Sequence, residues 1–408
     1  MAAVRFAHRR SYLLEPDTKE ATRGVKNSSY PLIASGAALI ACCYGLARFG
    51  YGLFTPVLTD EFGLTSTTVG VIAAGSYVGY CAAIAASAAV TNRVGPRLVA
   101  VAAGVVATAG MSMVALAPSA WVLAAGVLIA GTSTGIASPP LAAAVSQRIH
   151  GDAGDRAQTI VNAGTGVGVV VSGPIAFALF DHWRFAWGVY AVIAAVVTLW
   201  VAVTVRGTPD SDTGPAVRRW RTGSWGLVAA SLLTGLGSIA VWSFGRDLIS
   251  TTGSASVAVA SIAWTVLGAA GIVGALGGDA AQRIGLRRAW VVTTLAMSVA
   301  TVVLALAPSS IAAVMVAVAV FGAAYIGLTG LVLVWSTRVY PDSTSFGVGL
   351  AFFMIAFGQA LGAPAAGALI EAFGAANTFV LMAVLGSAAA LVRPATAPAT
   401  HDAPTRRS

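Results

Sequence analysis

Arg48 stands in an apolar run between Tyr44 and Tyr51, and this trio is the part of the 408-residue chain best placed to do chemistry. The spacing i, i+4, i+7 puts all three on one face of a helix. A planar guanidinium can hold a carboxylate or phosphonate through two parallel hydrogen bonds, and the tyrosines add hydroxyls and flat ring faces beside it. An arginine inside a membrane is costly and marks function by default. The alternative is that it snorkels to an interface or pairs with Asp60 or Glu61.

Other polar residues fall at helical spacing in apolar runs. Ser231, Thr234, Ser238 and Trp242 form a stripe like the one around Arg48. Ser76, Tyr77 and Tyr80, Asn162, Tyr325 and Thr329, and Gln359 are further candidates to line a solute path, each of which also reads as a packing or interhelical hydrogen-bonding residue. All 15 carboxylates lie in tails, loops or the edges of apolar runs, Asp247, Asp279 and Glu371 among them. A buried arginine without a buried acid suits an anionic or amphipathic solute.

Reactive chemistry is not evident. Cys42, Cys43 and Cys81 sit in apolar runs as small packing residues, without metal or redox spacing. His8, His150, His182 and His401 fall in tails or loops and do not cluster with carboxylates. Gly164, Gly166 and Gly168 resemble a dinucleotide fingerprint only superficially, because no strand precedes them, and close helix packing explains them better. The chain is expected to be no enzyme and to need no metal or cofactor, with coupling to protons left open.

The elements that must position these residues are apolar helices. The composition is 57% hydrophobic and 10% charged, where a soluble domain carries about 25% charged residues. Runs of about 20 residues exclude a barrel of short alternating strands. Twelve spans are predicted, at about 31–54, 68–90, 98–117, 120–146, 157–180, 185–205, 225–246, 256–277, 289–307, 310–335, 346–370 and 374–392. Two halves repeat at one offset: Arg93, Gly95 and Arg97 return 190 residues on as Arg283, Gly285 and Arg287. Leu116 to Ser119 likewise return as Leu306 to Ser309, Gly168 and Pro174 as Gly358 and Pro364, and Arg48 as Ser238. A duplicated six-helix unit is the build of a secondary transporter, one half rocking against the other around a site between them.

Charge orients the chain. Of the 24 basic residues, 21 fall in segments on the side of the N-terminus, while Arg184 and Arg246 lie near the opposite side. The positive-inside rule then puts both termini in the cytoplasm, and it accounts for the net charge of +9 without nucleic acid. The reading divides the chain into a cytoplasmic tail (1–30), a six-helix bundle (31–205), a cytoplasmic linker (206–224), a second bundle (225–392) and a C-terminal tail (393–408). The first tail lacks the apolar core of a signal peptide. The expected partners are the lipid bilayer and a small-molecule solute, and the chain is expected to act as a monomer in a bacterial inner membrane.

The turns after the second and eighth spans resemble the loop motif of the major facilitator superfamily, G-x-x-x-D-R-x-G-R-R. They read Asn92-Arg93-Val94-Gly95-Pro96-Arg97 and Gly278-Asp279-Ala280-Ala281-Gln282-Arg283-Ile284-Gly285-Leu286-Arg287. The motif's acid is replaced by Asn92 and Gln282, with Asp279 three residues upstream, so the ionic lock that the resemblance implies lacks its usual residue. Trp183-Arg184-Phe185-Ala186-Trp187 is similar to an outer-loop signature of the same superfamily. Gly168 to Pro174 resembles an antiporter pattern, but Ala176 and Phe177 stand where its terminal glycines belong. Gly45-x-x-Arg48-Phe49-Gly50-Tyr51, followed by Pro56, is similar to the YbfB/YjiJ-like bacterial branch. The resemblance implies an all-α fold of 12 transmembrane helices in two pseudo-symmetric bundles and transport by alternating access. It also marks Asn92, Arg93, Gly95, Arg97, Asp279, Arg283, Gly285 and Arg287 as cytoplasmic gate turns. Proton-driven efflux of a drug or metabolite is the second expectation, and a transporter-like receptor the third.

Overall fold

The structure is a computed structural model that describes residues 30–149, 152–208, 220–274, 283–341 and 344–394. Residues 1–29 and 395–408, most of the linker, Asp279 and Gln282 lie outside the described residues. Every regular element among those residues is a helix. In chain order these are α1 (Tyr30–Phe62), α2 (Ser66–Val94), α3 (Pro96–Ala115) and α4 (Ala120–Ser146). Then come α5 (Asp152–Leu179), α6 (Trp183–Thr204), α7 (Ser224–Thr252) and α8 (Val257–Gly274). The last four are α9 (Leu286–Leu306), α10 (Ile311–Val339), α11 (Thr344–Phe373) and α12 (Ala375–Leu391).

Among the described residues, ten helical stretches are long and apolar enough to cross a membrane. One of them, Arg156–Thr204, is a single run of 49 residues broken by the 3-10 turn Phe180–His182, where the sequence predicts two spans. The helix α12 is apolar but shorter. Large apolar side chains such as Val105, Trp121, Leu199, Val292 and Val316 face outward. A surface so apolar suits lipid, since water-soluble proteins seldom expose contiguous apolar patches of more than a few hundred Å².

Local chemistry sets the helix ends. Gly63 closes α1 in the left-handed conformation, at φ 60°. Thr65 and Ser310 cap α2 and α10 by accepting from the backbone N–H of Thr68 and Ala313. The turns before α3 and α9 pass through Gly95 at φ 89° and Gly285 at φ 84°. Residues with a Cβ rarely adopt that region, so the same strained corner is built twice.

Helix pairing repeats with a shift of six. The pairs α1–α5, α2–α4, α3–α4 and α3–α6 pack in the first half, and α7–α11, α8–α10, α9–α10 and α9–α12 in the second. Among the described residues the two largest seams between the halves are α2–α11 and α5–α8, which the shift exchanges one for the other, and α1 also packs on α7. Glycines bring these backbones together: a methyl on Gly45 would strike the Gly168 backbone, and one on Gly235 the Ile355 carbonyl, beside Gly358. Small residues at such crossings are how helices associate without a hydrophobic drive.

Candidate functional site

The first helix changes pitch where it meets the centre of the molecule. Residues Ala41–Arg48 are π-helical, and the Phe49 N–H donates to the Tyr44 carbonyl, five residues back, at 3.0 Å. A stretch of this kind inside an α-helix is frequently a functional feature. It also rotates the residues that follow, which corrects the predicted face. Tyr51 does not join Arg48; its hydroxyl donates to the Val69 carbonyl on α2 at 3.3 Å. Phe49 stands beside the guanidinium instead.

Arg48 is buried, 6% exposed. Its Cζ lies 4.4 Å from the Tyr77 ring centroid, 4.9 Å from Tyr80, 5.4 Å from Phe49 and 5.7 Å from Tyr44. Contacts of this type contribute about 0.5–2 kcal/mol each. The Arg48 Nη2 donates to the Gln359 Oε1 on α11 at 2.5 Å. Gln359 in turn donates from Nε2 to the Tyr325 hydroxyl on α10 at 3.2 Å and to the Ser238 Oγ on α7 at 3.4 Å. The Tyr44 hydroxyl shares a 2.8 Å hydrogen bond with Ser138 on α4. Side chains of six helices, α1, α2, α4, α7, α10 and α11, therefore gather at one positive charge, and Ser238, the repeat counterpart of Arg48, shares its network through Gln359.

No acid among the described residues pairs with that charge. Among the described residues the ion pair is Arg184 with Glu61, and Trp183 also donates to Glu61. Glu61, one of the two acids the sequence offers to Arg48, is thus held by the corner before α6. The Arg48 Nε is buried without a hydrogen-bond partner. Nε and Nη2 form the side-on edge of the guanidinium, the fork that a carboxylate can accept from with both oxygens. One of its two donors is idle and the other faces a neutral amide.

An aromatic lid covers the site toward the loop between α1 and α2. Trp242 stacks on Phe49 with ring centroids 3.9 Å apart and meets Tyr325 edge-on at 5.2 Å. Gly52 lets α1 lie against the Trp242 carbonyl, and the Thr67 N–H donates to Glu371 at 2.7 Å, tying α2 to α11 at the same end. Toward the Gly95 and Gly285 turns, Tyr80, Ile84 and Ala356 pack together.

Other candidates stand apart. Asn162 is half-buried on α5, whose neighbours Val161 and Gly164 pack on Gly36 and Ala37 of α1, about three turns from Arg48. Thr329 lies one turn beyond Tyr325 and donates to its own helix at the Ile326 carbonyl. Arg93, Arg97, Arg283 and Arg287 are exposed and form no ion pair with the described residues, and Asn92 is half-buried. Phe49 and Ser138 escape sequence reasoning as site residues; the signals for Phe49 are its place beside Arg48 and in the Gly45 to Tyr51 motif.

Residues 40–396 match the family described as "Uncharacterised MFS-type transporter YbfB". The chain is 25% identical over 370 residues to the transcription regulatory protein OpdE of Pseudomonas aeruginosa PAO1, covering 85% of this chain and 90% of that protein. In fold it is similar to a bacterial homolog of the human lysosomal transporter Spinster in an inward-facing, occupied conformation, at a TM-score of 0.72 and 17% identity, over 89% of this chain and 95% of that one. It is similar also to the nucleoside transporter NupG, at a TM-score of 0.72 and 14% identity, over 90% and 98% of the two chains.

Proposed function

Because the chain belongs to the YbfB-type family of major facilitator transporters, we propose that it carries a small organic anion across the bacterial inner membrane by alternating access, with Arg48 recognising the charge. Membership makes it a multi-pass membrane transport protein rather than an enzyme. The solute class rests on one observation: a buried guanidinium, ringed by four aromatic side chains, has a neutral amide and an idle donor where a protein carboxylate would otherwise sit.

In this reading the Gln359 amide oxygen holds the place of a solute oxygen. An arriving carboxylate displaces it and accepts from Nε and Nη2 together, while Tyr77 and Tyr80 flank an apolar or aromatic body. Gln359 belongs to α11 and Arg48 to α1, so the exchange of partner at Arg48 is felt directly by both halves. A ligand shifts a two-state equilibrium only by its differential affinity for the states. Contacts drawn from both halves provide such a difference. We take the Gly95 and Gly285 turns to face the cytoplasm, and all twelve helices to span the bilayer.

Counterflow of labelled carboxylates in proteoliposomes tests this. Arg48→Lys keeps the charge but loses the fork and is expected to cut flux tenfold or more, and Arg48→Ala to bring it to background. Wild-type flux in Arg48→Ala rejects the reading. A second reading comes from the relative named as a transcription regulatory protein: the chain senses its solute without moving it. A carboxylate that raises the melting temperature but shows no counterflow supports that one. Proton-driven efflux would instead need a coupling acid, and a neutral amide, Gln359, is what faces Arg48.

A further inference from the structure

We propose that Arg246 is a second anion-binding position, lying beyond the aromatic lid from Arg48 and engaged when that end of the protein opens. The inference rests on the reading of the solute as an organic anion. Arg246 is on α7, one turn past Trp242, and is 1% exposed. Its Nη1 donates to the Ser261 Oγ on α8 at 3.2 Å, and its Cζ lies 4.4 Å from the Phe180 ring centroid at the corner between α5 and α6. Nε and Nη2 are both buried and have no hydrogen-bond partner.

Those two nitrogens form the same side-on fork that is half free at Arg48. At Arg246 the whole fork is free. No ion pair among the described residues neutralises the charge, and leaving two charged donors idle in a dry setting is among the costlier arrangements a protein can hold. A fixed structural role gives no reason for that cost; use in another conformation does. Phe180 belongs to the first half and Ser261 to the second, so separation of the halves at this end draws the ring off the guanidinium and bares the fork.

The order along the path follows from the lid. Gly52 lies level with the Trp242 backbone, so along the helices Arg48 is one turn to one side of that level and Arg246 one turn to the other. About 12 Å of helix rise separates them. An anion coming from the end of the Glu61 and Glu371 contacts meets Arg246 first, and reaches Arg48 when Trp242 swings off Phe49. Arg246 acts there as a receiving position and Arg48 as the central one.

The test needs no transported solute, so it can fail or succeed independently of the Arg48 reading. In a protein lacking Cys42, Cys43 and Cys81, Ser261→Cys puts a thiol beside Arg246. Its labelling from outside intact cells is timed with an anionic sulfonatoethyl methanethiosulfonate and a cationic trimethylammonioethyl one. The anionic reagent is expected to react faster, and Arg246→Gln to lower the anion-to-cation rate ratio tenfold or more. Arg246→Met, of similar length and apolar, gives the same reading if the glutamine variant folds poorly, and Arg246→Lys retains most of the ratio. A ratio unchanged within twofold by Arg246→Gln and Arg246→Met overturns the proposal, as does a thiol that neither reagent reaches.

Discussion

The Arg48 guanidinium and the Gln359 amide meet at 2.5 Å although 311 residues separate them in the chain. Their bond crosses from α1 to α11, the two halves' contributions to one site. Gln359→Glu would put a permanent carboxylate on the fork, so carboxylate counterflow is expected to fall more than tenfold while the protein still inserts. Gln359→Leu removes the amide that links Arg48, Tyr325 and Ser238, and a loss of about 1–3 kcal/mol is expected, read as a lower melting temperature in nanodiscs. Undiminished flux in Gln359→Glu would remove Arg48 from the solute path.

The repeated corners carry a second prediction. Gly95 and Gly285 hold positive φ with ψ of 157° and 145°, a region costing other residues about 1–3 kcal/mol. A methyl at Gly285 would meet open space, so the penalty there is in the backbone. Gly95→Leu and Gly285→Leu should each lower thermal stability and cripple transport, with insertion retained. Normal transport in both would reduce the corners to plain connectors.

Close backbone approach predicts a contrast among glycines. Gly45→Ala and Gly235→Ala drive a methyl into a facing helix and should cost about 1–3 kcal/mol by overpacking. Gly188→Ala and Gly330→Ala meet nothing within 4 Å and should be neutral or gain up to about 1 kcal/mol in helix propensity. Size-exclusion thermostability of the four variants checks the order; equal melting temperatures would contradict it.

Orientation is testable with reporters. Fusions after Thr91, Gly214 and Pro394 are expected to read cytoplasmic, and one after Thr59 external. A periplasmic signal at Gly214 would break the division into two six-helix halves.

Much of this was legible in the chain because lipid leaves few options. Apolar runs locate the described helices to within about five residues except at the ends of α1 and α7, which run on to Phe62 and Thr252 past the predicted 54 and 246, and the one offset that relates Gly95 to Gly285 also relates the Gly45–Gly168 contact to Gly235–Gly358. The site was half legible. Arg48, Tyr44, Tyr77, Tyr80, Ser238, Trp242, Tyr325 and Gln359 do come together, since polar residues in apolar runs have few other places to go. Tyr51 fails because a period of 3.6 residues takes no account of the π-helical stretch before it. Asn162 and Thr329 fail because spacing along one helix says nothing about depth relative to another. Arg246 reads as an end-of-helix charge, and only the packing of Phe180 and Ser261 around it reveals its burial.

The replacement of arginine by serine across the repeat, Arg48 against Ser238, makes the centre electrically lopsided. A perfect duplicate would face two guanidiniums across one site; this one presents a single positive charge. With a monoanion aboard the pair is neutral, whereas the empty carrier returns with its charge uncovered. The membrane potential acts at about 2.3 kcal/mol per elementary charge per 100 mV, scaled by the fraction of the field the charge crosses. On the proposed anion-carrying function, voltage is therefore expected to govern the unloaded return and to leave the loaded passage almost untouched, which would make the cycle electrogenic with no coupling ion.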